Sequence, residues 1–315
     1  MAAPMRIAVL DDYQNVALQM ADWSAVTDRA DVTVFNDHIA DPDELAARLE
    51  PFDIVFVMRE RTPLPRSIIE RLPNLKMIAS TGPFNASIDM AAAEDHGIHV
   101  GTTGGTVAST VELTWALILA GVRNLVAESQ SVRDGGWQTS VGRELAGRTL
   151  GVLGLGRIGV RVARIGEAFG MKVIAWSQNL TPETAAEAGA TRVSREDLFA
   201  TADVLSVHLK LSGRSAGLVG AAELALMKPT ALLVNTSRGP IVDEAALVAA
   251  LRSRTIAGAA LDVFDTEPLP SGHPLRTLDN VLATPHIGYV ADRPYRIFFR
   301  DAVAAISDWL DANAQ

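Results

Sequence analysis

The stretch Leu150-Gly-Val-Leu-Gly-Leu-Gly-Arg-Ile-Gly159 decides the fold, because its last six residues form a Gly-x-Gly-x-x-Gly turn. The apolar run Thr149–Leu153 predicts a strand before the turn, and residues 157–169 have a helical pattern after it. A second strand is predicted over Val173–Trp176. A turn of this kind alone arises often by chance, but between a strand and a helix it predicts a βαβ unit that binds a dinucleotide.

Each glycine of the turn has its own physical role. Gly154 allows the tight turn, Gly156 lets the backbone approach a pyrophosphate, and Gly159 lets the helix pack closely on the strand. Arg157 and Ile158 lie at the helix start, where unpaired N–H groups and the helix dipole favour negative charge. We therefore predict that all five residues contact the dinucleotide.

The end of the second strand decides between NAD and NADP in many dinucleotide folds. An Asp or Glu there accepts hydrogen bonds from the ribose hydroxyls, whereas an Arg binds a 2′-phosphate. This chain has Trp176-Ser177-Gln178-Asn179, with neither a carboxylate nor an adjacent Arg. Ser177 and Gln178 are predicted to line the cofactor site, although Ser177 fits an ordinary strand end equally well. The cofactor is expected to be NAD or NADP, with a small preference for NAD.

Strand-like runs alternate with helical patterns along most of the chain, which is typical of parallel sheets in an α/β fold. The predicted strands are Ile7–Leu10, Val32–Phe35, Ile54–Val57, Met77–Ser80, Thr149–Leu153, Val173–Trp176, Val204–His208, Leu232–Asn235, Ala257–Asp262 and Val281–Ala283. At 315 residues the chain fits two domains. We expect two Rossmann-like or flavodoxin-like lobes, a dinucleotide-binding domain over 101–285 and a discontinuous domain made of 1–100 and 286–315.

Several helices are predicted from periodicity and start signals. A long apolar helix is expected over residues 109–125, a loop over 133–147, and a last helix over 293–310 whose apolar face packs on the first lobe. Three helix starts carry a capping residue, namely Thr181 before Pro182, Ser194 before Asp197 and Asp243.

Composition excludes several classes of function. The net charge is −9, and no basic stripe reverses it, so we expect no nucleic-acid partner. There is no cysteine, which excludes disulfides, thiolate metal sites and a thiol nucleophile. We find no metal-ligating pattern. The longest apolar run, Leu113–Val122, is too short for a membrane span. We expect a soluble, cytoplasmic protein.

Three further segments follow predicted strands and so should lie at the carboxyl ends of the sheet, where α/β proteins bind ligands. They contain Arg238, Glu267 and His286. Transfer of a hydride to a carbonyl needs a cation to hold the substrate and a proton donor for the developing alkoxide. Arg can bind a carboxylate, and a His paired with Glu can donate the proton. Taken singly, each residue could equally be structural or a surface ion pair.

Read together, these segments resemble the D-isomer-specific 2-hydroxyacid dehydrogenase family over nearly the whole chain. Several ordered motifs in register are far more specific than any one of them. The matching motifs are Asn74–Ile78, Ile88-Asp89, Gly97-Ile98, Glu112-Leu113, Leu150–Gly159, Asn235–Gly239, Leu261–Phe264 and Pro285–Gly288.

The resemblance implies an NAD(P)-dependent D-2-hydroxyacid dehydrogenase that reduces a 2-keto acid reversibly, similar to glyoxylate, hydroxypyruvate or phosphoglycerate enzymes. It implies that Arg238 binds the substrate and that Glu267 and His286 form the acid–base pair. Asp262 is expected near the nicotinamide carboxamide. The remaining residues that the resemblance places on the cofactor are His208, Thr236 and Gly288.

The resemblance also bears on domains and assembly. It implies a cofactor lobe inserted into a discontinuous substrate lobe, with cleft closure that excludes water from the hydride path. It implies a homodimer, formed in part by the long helix after Gly105. From the sequence alone, that helix could instead be an internal core helix.

The substrate loop departs from the family pattern. Gly82 is kept and predicted to bind substrate, but Pro83 lacks an N–H group and Phe84 adds bulk in place of glycine. Arg59 is predicted to bind substrate and, with Arg61, to add positive charge. Ion pairs of these arginines with Glu60 or Asp53 are equally compatible with the sequence.

Two alternatives stay open at this point, the first from another functional class and the second also an enzyme. One is a dinucleotide-sensing protein of the corepressor type, and the other is formate or phosphite oxidation on the same fold. A Glu rather than Gln at position 267 disfavours formate oxidation. A feedback-regulated phosphoglycerate dehydrogenase is not expected, because the sequence ends at Gln315 without an appended domain. The remaining histidines are interpreted as background, namely His38, His96, His99 and His273.

Overall fold

A computed structural model of the chain describes residues 4–313. The chain divides into two compact units. The first consists of Met1–Thr106 and Ala291–Gln315, and the second of Val107–Val290. The sheets of both units are purely parallel, which confirms the predicted α/β class.

The first unit contains a five-stranded sheet in the order β2-β1-β3-β4-β5, the flavodoxin-like order. Its strands are β1 Met5–Val9, β2 Ala30–Val34, β3 Ile54–Val57, β4 Met77–Ser80 and β5 His99–Thr102. Its N-terminal helices are α1 Ala17–Met20, α2 Ser24–Thr27, α3 Pro42–Leu49, α4 Arg66–Ile69 and α5 Met90–Asp95.

The second unit contains a seven-stranded sheet in the order β12-β11-β10-β9-β6-β7-β8. Its strands are β6 Thr149–Leu153, β7 Lys172–Trp176, β8 Thr191–Arg192, β9 Val204–Val207, β10 Leu232–Asn235, β11 Gly258–Leu261 and β12 Val281–Ala283. Its helices are α6 Ala108–Arg123, α7 Leu125–Arg133, α8 Gly159–Ala168, α9 Pro182–Glu187, α10 Arg195–Thr201, α11 Ala221–Leu226 and α12 Glu244–Arg252, with 3-10 turns at Gly239–Ile241 and Pro274–Arg276.

The C-terminal helix α13, Asp292–Ala312, packs on the first unit as predicted, against β4 and β5. Its apolar side chains recur at helical spacing and are buried there. Phe299 is fully buried and stacks on Phe56 of β3, with ring centroids 5.2 Å apart. The end of the chain therefore completes the core of the N-terminal unit.

The observed boundaries differ from the expected ones at both junctions. The expected cut at 100/101 falls inside β5, whose short run His99-Val-Gly-Thr102 has no apolar pattern from which to predict a strand. Pairing of β5 with β4 assigns this strand to the first unit. Residues 286–290 belong to the second unit, because the N–H groups of Ile287 and Gly288 donate to Asp262. His286 is thus carried by the second unit, contrary to the expected boundary.

Most predicted strands agree with the structure to within two residues, and the edge strand β8 was also missed. Two-residue β8 is fully exposed, so it has no buried pattern. The predicted helix starts are confirmed: Thr181, Ser194 and Asp243 each accept a backbone N–H group of the first helical turn.

The predicted helix over 109–125 ends earlier, at Arg123. Asn124 adopts a left-handed conformation with φ 51°, and α7 continues from Leu125 into the segment expected to be a loop. Within residues 4–313, no single helix is long and apolar enough to cross a membrane. The pair α6 and α7 passes that test only jointly and is bent by 64°.

Strand register in the second unit aligns the carboxyl ends of six strands. Leu153 pairs with Trp176 on one side and Val207 on the other, and the series continues through Asn235 and Leu261 to β12. Residues that directly follow these strands therefore lie along one edge of the sheet. The predicted cofactor and catalytic segments of the second unit all begin there.

Candidate active site

The glycine turn after β6 has the shape that a pyrophosphate requires. Gly154 has φ +102°, and a Cβ there would lie 2.8 Å from the carbonyl carbon of His208. A Cβ on Gly159 would lie 2.2 Å from the oxygen of Gly154, so α8 can approach the strand only without one. A Cβ on Gly156 would meet no described heavy atom within 4 Å. This open position, beside a helix N-terminus without a side-chain cap in the described chain, fits a bound phosphate group.

Replacing Gly156 with alanine is expected to weaken dinucleotide binding without destabilising the fold. The new methyl group has space in the protein itself and projects from the turn that approaches the pyrophosphate. Gly159→Ala should instead lower the melting temperature, because its methyl group would clash with the backbone of Gly154. Fluorescence titration with NADH and thermal melting of both variants separate the two effects. Equal NADH affinity in Gly156→Ala and wild type would contradict this role of the turn.

The predicted specificity residues lie where β7 ends. Ser177 is half-buried and directly follows the last strand residue, and its carbonyl accepts from Leu180 N–H at 3.1 Å. Gln178 is exposed in the same turn, and Arg157 is exposed at the start of α8. The geometry thus offers neutral side chains at this strand end.

His208 follows β9 beside the glycine turn. Its Nε2 lies 2.8 Å from Ser206 Oγ, and its backbone N–H donates to the carbonyl of Leu153. Burial lowers the pKa of His208 to about 3, so the imidazole is neutral at physiological pH. A neutral imidazole beside the glycine turn fits a residue that lines the cofactor site better than one that transfers a proton.

The stability of the protein is expected to decline in mild acid because of His208. Below the ordinary His pKa of 6.5, the unfolded chain takes up a proton at this residue that the folded chain does not bind until pH about 3. The contribution of His208 to the free energy of unfolding is thus complete above pH 6.5. It is lost as the pH falls, at up to about 1.4 kcal/mol per pH unit. Urea midpoints between pH 7 and pH 5 should depend less on pH in His208→Gln than in wild type. The exposed His96→Gln should keep the wild-type dependence, and an unchanged slope in His208→Gln would contradict the assignment.

Arg238 extends from a turn that a buried asparagine shapes. The Asn235 side chain donates to the carbonyl of Arg238 at 3.0 Å and accepts from Ser237 N–H at 3.0 Å. Ser237 Oγ donates to the carbonyl of Leu209, which ties the turn to the end of β9. The guanidinium of Arg238 donates to the carbonyl of Ser237 at 2.7 Å and is partly exposed. The turn therefore fixes the backbone from which this cation reaches out.

Glu267 and His286 form a close pair, although they are 19 residues apart. His286 Nδ1 lies 2.5 Å from Glu267 Oε2, and the His286 side chain is 20% exposed. An ionised carboxylate only accepts hydrogen bonds, so the pair places a proton on Nδ1 and leaves Nε2 for exchange. The second oxygen of Glu267 accepts from Phe264 N–H at 2.9 Å, which orients the carboxylate.

His286 has φ +52°, a conformation that costs energy for a residue with a side chain. Asp262 holds the segment in place: its carboxylate is fully buried and accepts from Thr284 Oγ1 at 2.6 Å and from the N–H groups of Ile287 and Gly288, each at 2.8 Å. Burial raises the pKa of Asp262, and these hydrogen bonds oppose that rise. The resemblance implied a place near the nicotinamide; the structure shows that both oxygens of this carboxylate bind the loop that carries His286.

Two threonines of helix α6 contact the turn that carries Arg238 and the loop that carries His286. Thr114 Oγ1 lies 2.8 Å from Oγ1 of Thr236, which is two residues before Arg238. Thr110 Oγ1 donates to the carbonyl of Gly288 at 3.1 Å. Neither threonine was predicted from the sequence, because nothing in their helical spacing identifies which loops they contact.

The other predicted substrate residues, Arg59 and Gly82, lie in the first unit. Arg59 has φ +53° and donates to the carbonyl of Thr81 at 3.0 Å. A Cβ on Gly82 would overlap its guanidinium, so glycine is needed for the arginine to lie over this loop. Arg59 also pairs with Glu60 at 3.4 Å, so the substrate and ion-pair interpretations are compatible.

Neighbouring Arg61 is engaged within the first unit. It donates to the carbonyl of Asp11 at 2.6 Å and to Tyr295 Oη at 3.2 Å. Asp53, the other expected partner of these arginines, pairs with Lys76 at 2.7 Å. These contacts of Arg61 and Asp53 differ from the Arg61–Asp53 ion pair that the sequence left open.

Two histidines interpreted as background have carboxylate partners. His38 Nδ1 lies 2.9 Å from Asp11 Oδ1, and His273 Nε2 lies 3.0 Å from Glu244 Oε1. Each pair joins residues more than 25 positions apart, which local sequence context does not reveal.

Comparison with known proteins identifies the family. The model of the D-isomer specific 2-hydroxyacid dehydrogenase NAD-binding domain matches residues 115–288, which is more than half of the chain. The chain is 46% identical to a glyoxylate reductase of Aeropyrum pernix over 229 residues, which cover 70% of this chain and 68% of that protein. It is 38% identical to a D-3-phosphoglycerate dehydrogenase of Archaeoglobus fulgidus over 78% of this chain, but only 47% of that protein.

Among solved structures, the fold is very similar to a phosphoglycerate oxidoreductase from Vibrio cholerae O395. The TM-score is 0.93 at 40% identity, and the match covers 98% of this chain and 99% of that one. The curated relatives are reductases and dehydrogenases, so neither the dinucleotide sensor nor formate-type oxidation is favoured. The chain belongs to the D-isomer-specific 2-hydroxyacid dehydrogenase family and is an NAD(P)-dependent oxidoreductase that reduces 2-keto acids to 2-hydroxy acids.

Proposed function

We propose that Arg238, Glu267 and His286 carry the reaction and that the preferred substrate is a small 2-keto acid, reduced to its D-2-hydroxy acid. The observation that supports this most directly is the 2.5 Å contact between His286 Nδ1 and Glu267 Oε2. The pair follows strands whose carboxyl ends are in register with that of β6, which leads into the glycine turn. The Glu267–His286 pair and the dinucleotide turn therefore lie at the same edge of the sheet.

Arg238 holds the substrate in this mechanism. A guanidinium binds a planar carboxylate through two parallel hydrogen bonds and polarises the neighbouring keto oxygen. The rigid turn set by Asn235 limits the orientations available to the Arg238 backbone. Binding and polarisation therefore come from the same side chain.

His286 supplies the proton. When bound, the reduced nicotinamide would supply the hydride for C2 of the keto acid. His286 would donate its Nε2 proton to the alkoxide oxygen that develops there. Glu267 accepts from Nδ1 throughout, so it fixes the ring and stabilises the imidazolium that precedes proton transfer. In the reverse direction Nε2 accepts the hydroxyl proton. Asp262 keeps the backbone of His286 in its left-handed conformation for both directions.

The closeness to a glyoxylate reductase favours a small substrate, and a steady-state screen tests this directly. The panel is glyoxylate, hydroxypyruvate, phenylpyruvate, branched 2-keto acids, formate and phosphite, each with the matching form of NAD and NADP. We expect the highest kcat/KM with glyoxylate or hydroxypyruvate. Turnover of formate or phosphite alone would contradict the proposal. So would tight NADH binding without turnover of any 2-keto acid, which would indicate a sensor.

We further propose that the chain forms a homodimer through an apolar surface on α7 and the segment after it. This surface, the α7 patch, consists of Leu125, Val126, Val132, Trp137 and Val141, whose exposures range from 52% to 95%. Helix α7 buries none of its residues in the protomer. Several exposed large apolar side chains within one short stretch of chain are typical of protein interfaces. Helix α6, which the resemblance implicated, buries one face in the core of its own unit.

Hydrogen bonds hold the α7 patch in a defined shape. Glu128 on α7 accepts from Thr139 N–H and Oγ1 and from Ser140 Oγ, which lowers the pKa of this carboxyl to about 2. The segment that carries Trp137 is thereby fixed to the helix. A preformed surface suits a second copy of the chain, because little ordering is needed on association.

The expected cytoplasmic location stays a prediction.

Charge placed in the α7 patch is expected to convert the dimer to monomers. Val126→Asp would put an unpaired carboxylate into a desolvated apolar interface. Light scattering after size-exclusion chromatography should give twice the chain mass for wild type and one chain mass for the variant. Leu18→Asp, at a leucine of the first unit with similar exposure, should stay dimeric. A monomeric wild type would refute the assembly.

A further inference from the structure

A second His–carboxylate pair lies outside the proposed catalytic group. His273 Nε2 is 3.0 Å from Glu244 Oε1, and both side chains are about four-fifths buried, at 19% and 21% exposed. Leu275 N–H donates to Nδ1 of the same ring at 3.3 Å, which caps the 3-10 turn Pro274–Arg276. Because Nδ1 accepts, the proton lies on Nε2 and is donated to Glu244. Both ring nitrogens are therefore engaged.

The other oxygen of Glu244 reaches the loop that carries Glu267. Glu244 Oε2 accepts from Asp265 N–H at 3.2 Å, and the preceding N–H group, that of Phe264, donates to Glu267 Oε1. Two carboxylates, one on α12 and one on the loop itself, thus accept from two consecutive N–H groups. Glu267 uses its remaining oxygen for His286.

The same peptide also packs against the substrate-binding turn. A Cβ on Gly239, the residue after Arg238, would lie 2.0 Å from the carbonyl carbon of Phe264 and 2.6 Å from Asp265 N. The turn that carries Arg238 and the loop that carries Glu267 therefore meet at the Phe264–Asp265 peptide. A shift of this peptide would move both loops together.

Glu244 is well placed to fix that peptide. It is the first residue of α12, and its neighbour Asp243 caps the helix by accepting from Ala246 N–H at 2.9 Å. Other charged groups at this helix start are Asp243 and Asp265. Burial, and then the negative charges of Glu244 and Asp243, raise the pKa of the Asp265 side chain, and His273 opposes that rise.

We propose that Glu244 and His273 are positioning residues that hold the Phe264–Asp265 peptide, and through it the Glu267–His286 pair and the turn of Arg238. This inference rests on the proposed function, because it concerns the same catalytic group. It predicts that the two residues act on proton transfer without contacting substrate.

Glu244→Gln tests the proposal, because His273 and Asp265 lie against different oxygens of Glu244, and in glutamine one of these two positions is an NH2 group, which donates and cannot accept. We expect kcat to fall about 10- to 100-fold, as for small displacements of catalytic groups. NADH affinity and the melting temperature should change little, and the pH–rate profile should shift. Glu196→Gln, at the exposed first turn of α10, is the matched control and should behave as wild type. His273→Asn should give a loss in the same direction, and it serves if Glu244→Gln does not fold.

A double-mutant cycle distinguishes positioning from a general structural effect. If Glu244 acts through Glu267, Glu244→Gln should have almost no further effect on kcat in a Glu267→Gln background. Additive losses, or wild-type kcat in both Glu244→Gln and His273→Asn, would overturn the inference while leaving the catalytic assignment intact. Wild-type turnover in Glu267→Gln and His286→Asn would instead refute the proposed function itself.

Discussion

His286→Asn is expected to lower kcat about 100- to 10,000-fold, the range that a positioned general acid contributes. The asparagine side chain keeps a polar group near Glu267 but has no proton to give at the position of Nε2. NADH affinity should stay within about twofold, because His286 is not part of the glycine turn. Stopped-flow measurement of NADH oxidation, with fluorescence titration of NADH, gives both quantities.

Two further variants serve as comparisons for this prediction. His99→Asn changes an exposed histidine of the first unit and should leave kcat unchanged. Glu267→Gln should fall between the two, because it retains the imidazole but loses the negative charge beside Nδ1. If His286→Asn turned over substrate at the wild-type rate, a different group would have to donate the proton.

Arg238→Gln is expected to lower kcat/KM for 2-keto acids by roughly 30- to 5,000-fold. Loss of one partner of a desolvated, charge-assisted contact costs about 2–5 kcal/mol, which corresponds to that range. The substrate carboxylate would lose both its bidentate partner and the cation that polarises the keto oxygen. Steady-state kinetics should show an increase in KM together with a fall in kcat.

Arg238→Lys separates charge from geometry. A lysine keeps the positive charge but cannot form two parallel hydrogen bonds, so activity should be only partly restored. Arg252→Gln, at an exposed arginine of α12 in the same unit, should have wild-type kinetics. A wild-type KM and kcat in Arg238→Gln would remove this residue from the substrate site.

Much of the fold could be predicted from local pattern. The strands β3, β4, β6, β10 and β12 have the predicted bounds, because each is a short apolar run between helices. β5 was missed because its register with β4, rather than its own composition, makes it a strand. α7 was missed because none of its residues is buried in the protomer, so its sequence lacks the apolar spacing of a core-facing helix.

The candidate site was accessible from sequence because parallel strands end at one edge. Arg238, Glu267 and His286 each follow a strand, and strand register brings their segments to the same side of the sheet. The contacts that give these residues their chemistry were not accessible. No local pattern indicates that Asp262 uses both oxygens to hold the His286 loop, or that Glu244 meets His273.

The sequence by itself determined the parallel α/β architecture, the dinucleotide turn at Gly154–Gly159 and the residue types available for hydride transfer. These depend on spacing along the chain and on the conformational limits of glycine, which act over a few residues. The tertiary structure decided the 2.5 Å pairing of Glu267 with His286, the left-handed backbone of His286 and the neutral state of His208. Those properties arise from burial and from contacts between distant residues, which exist only after the sheet has formed.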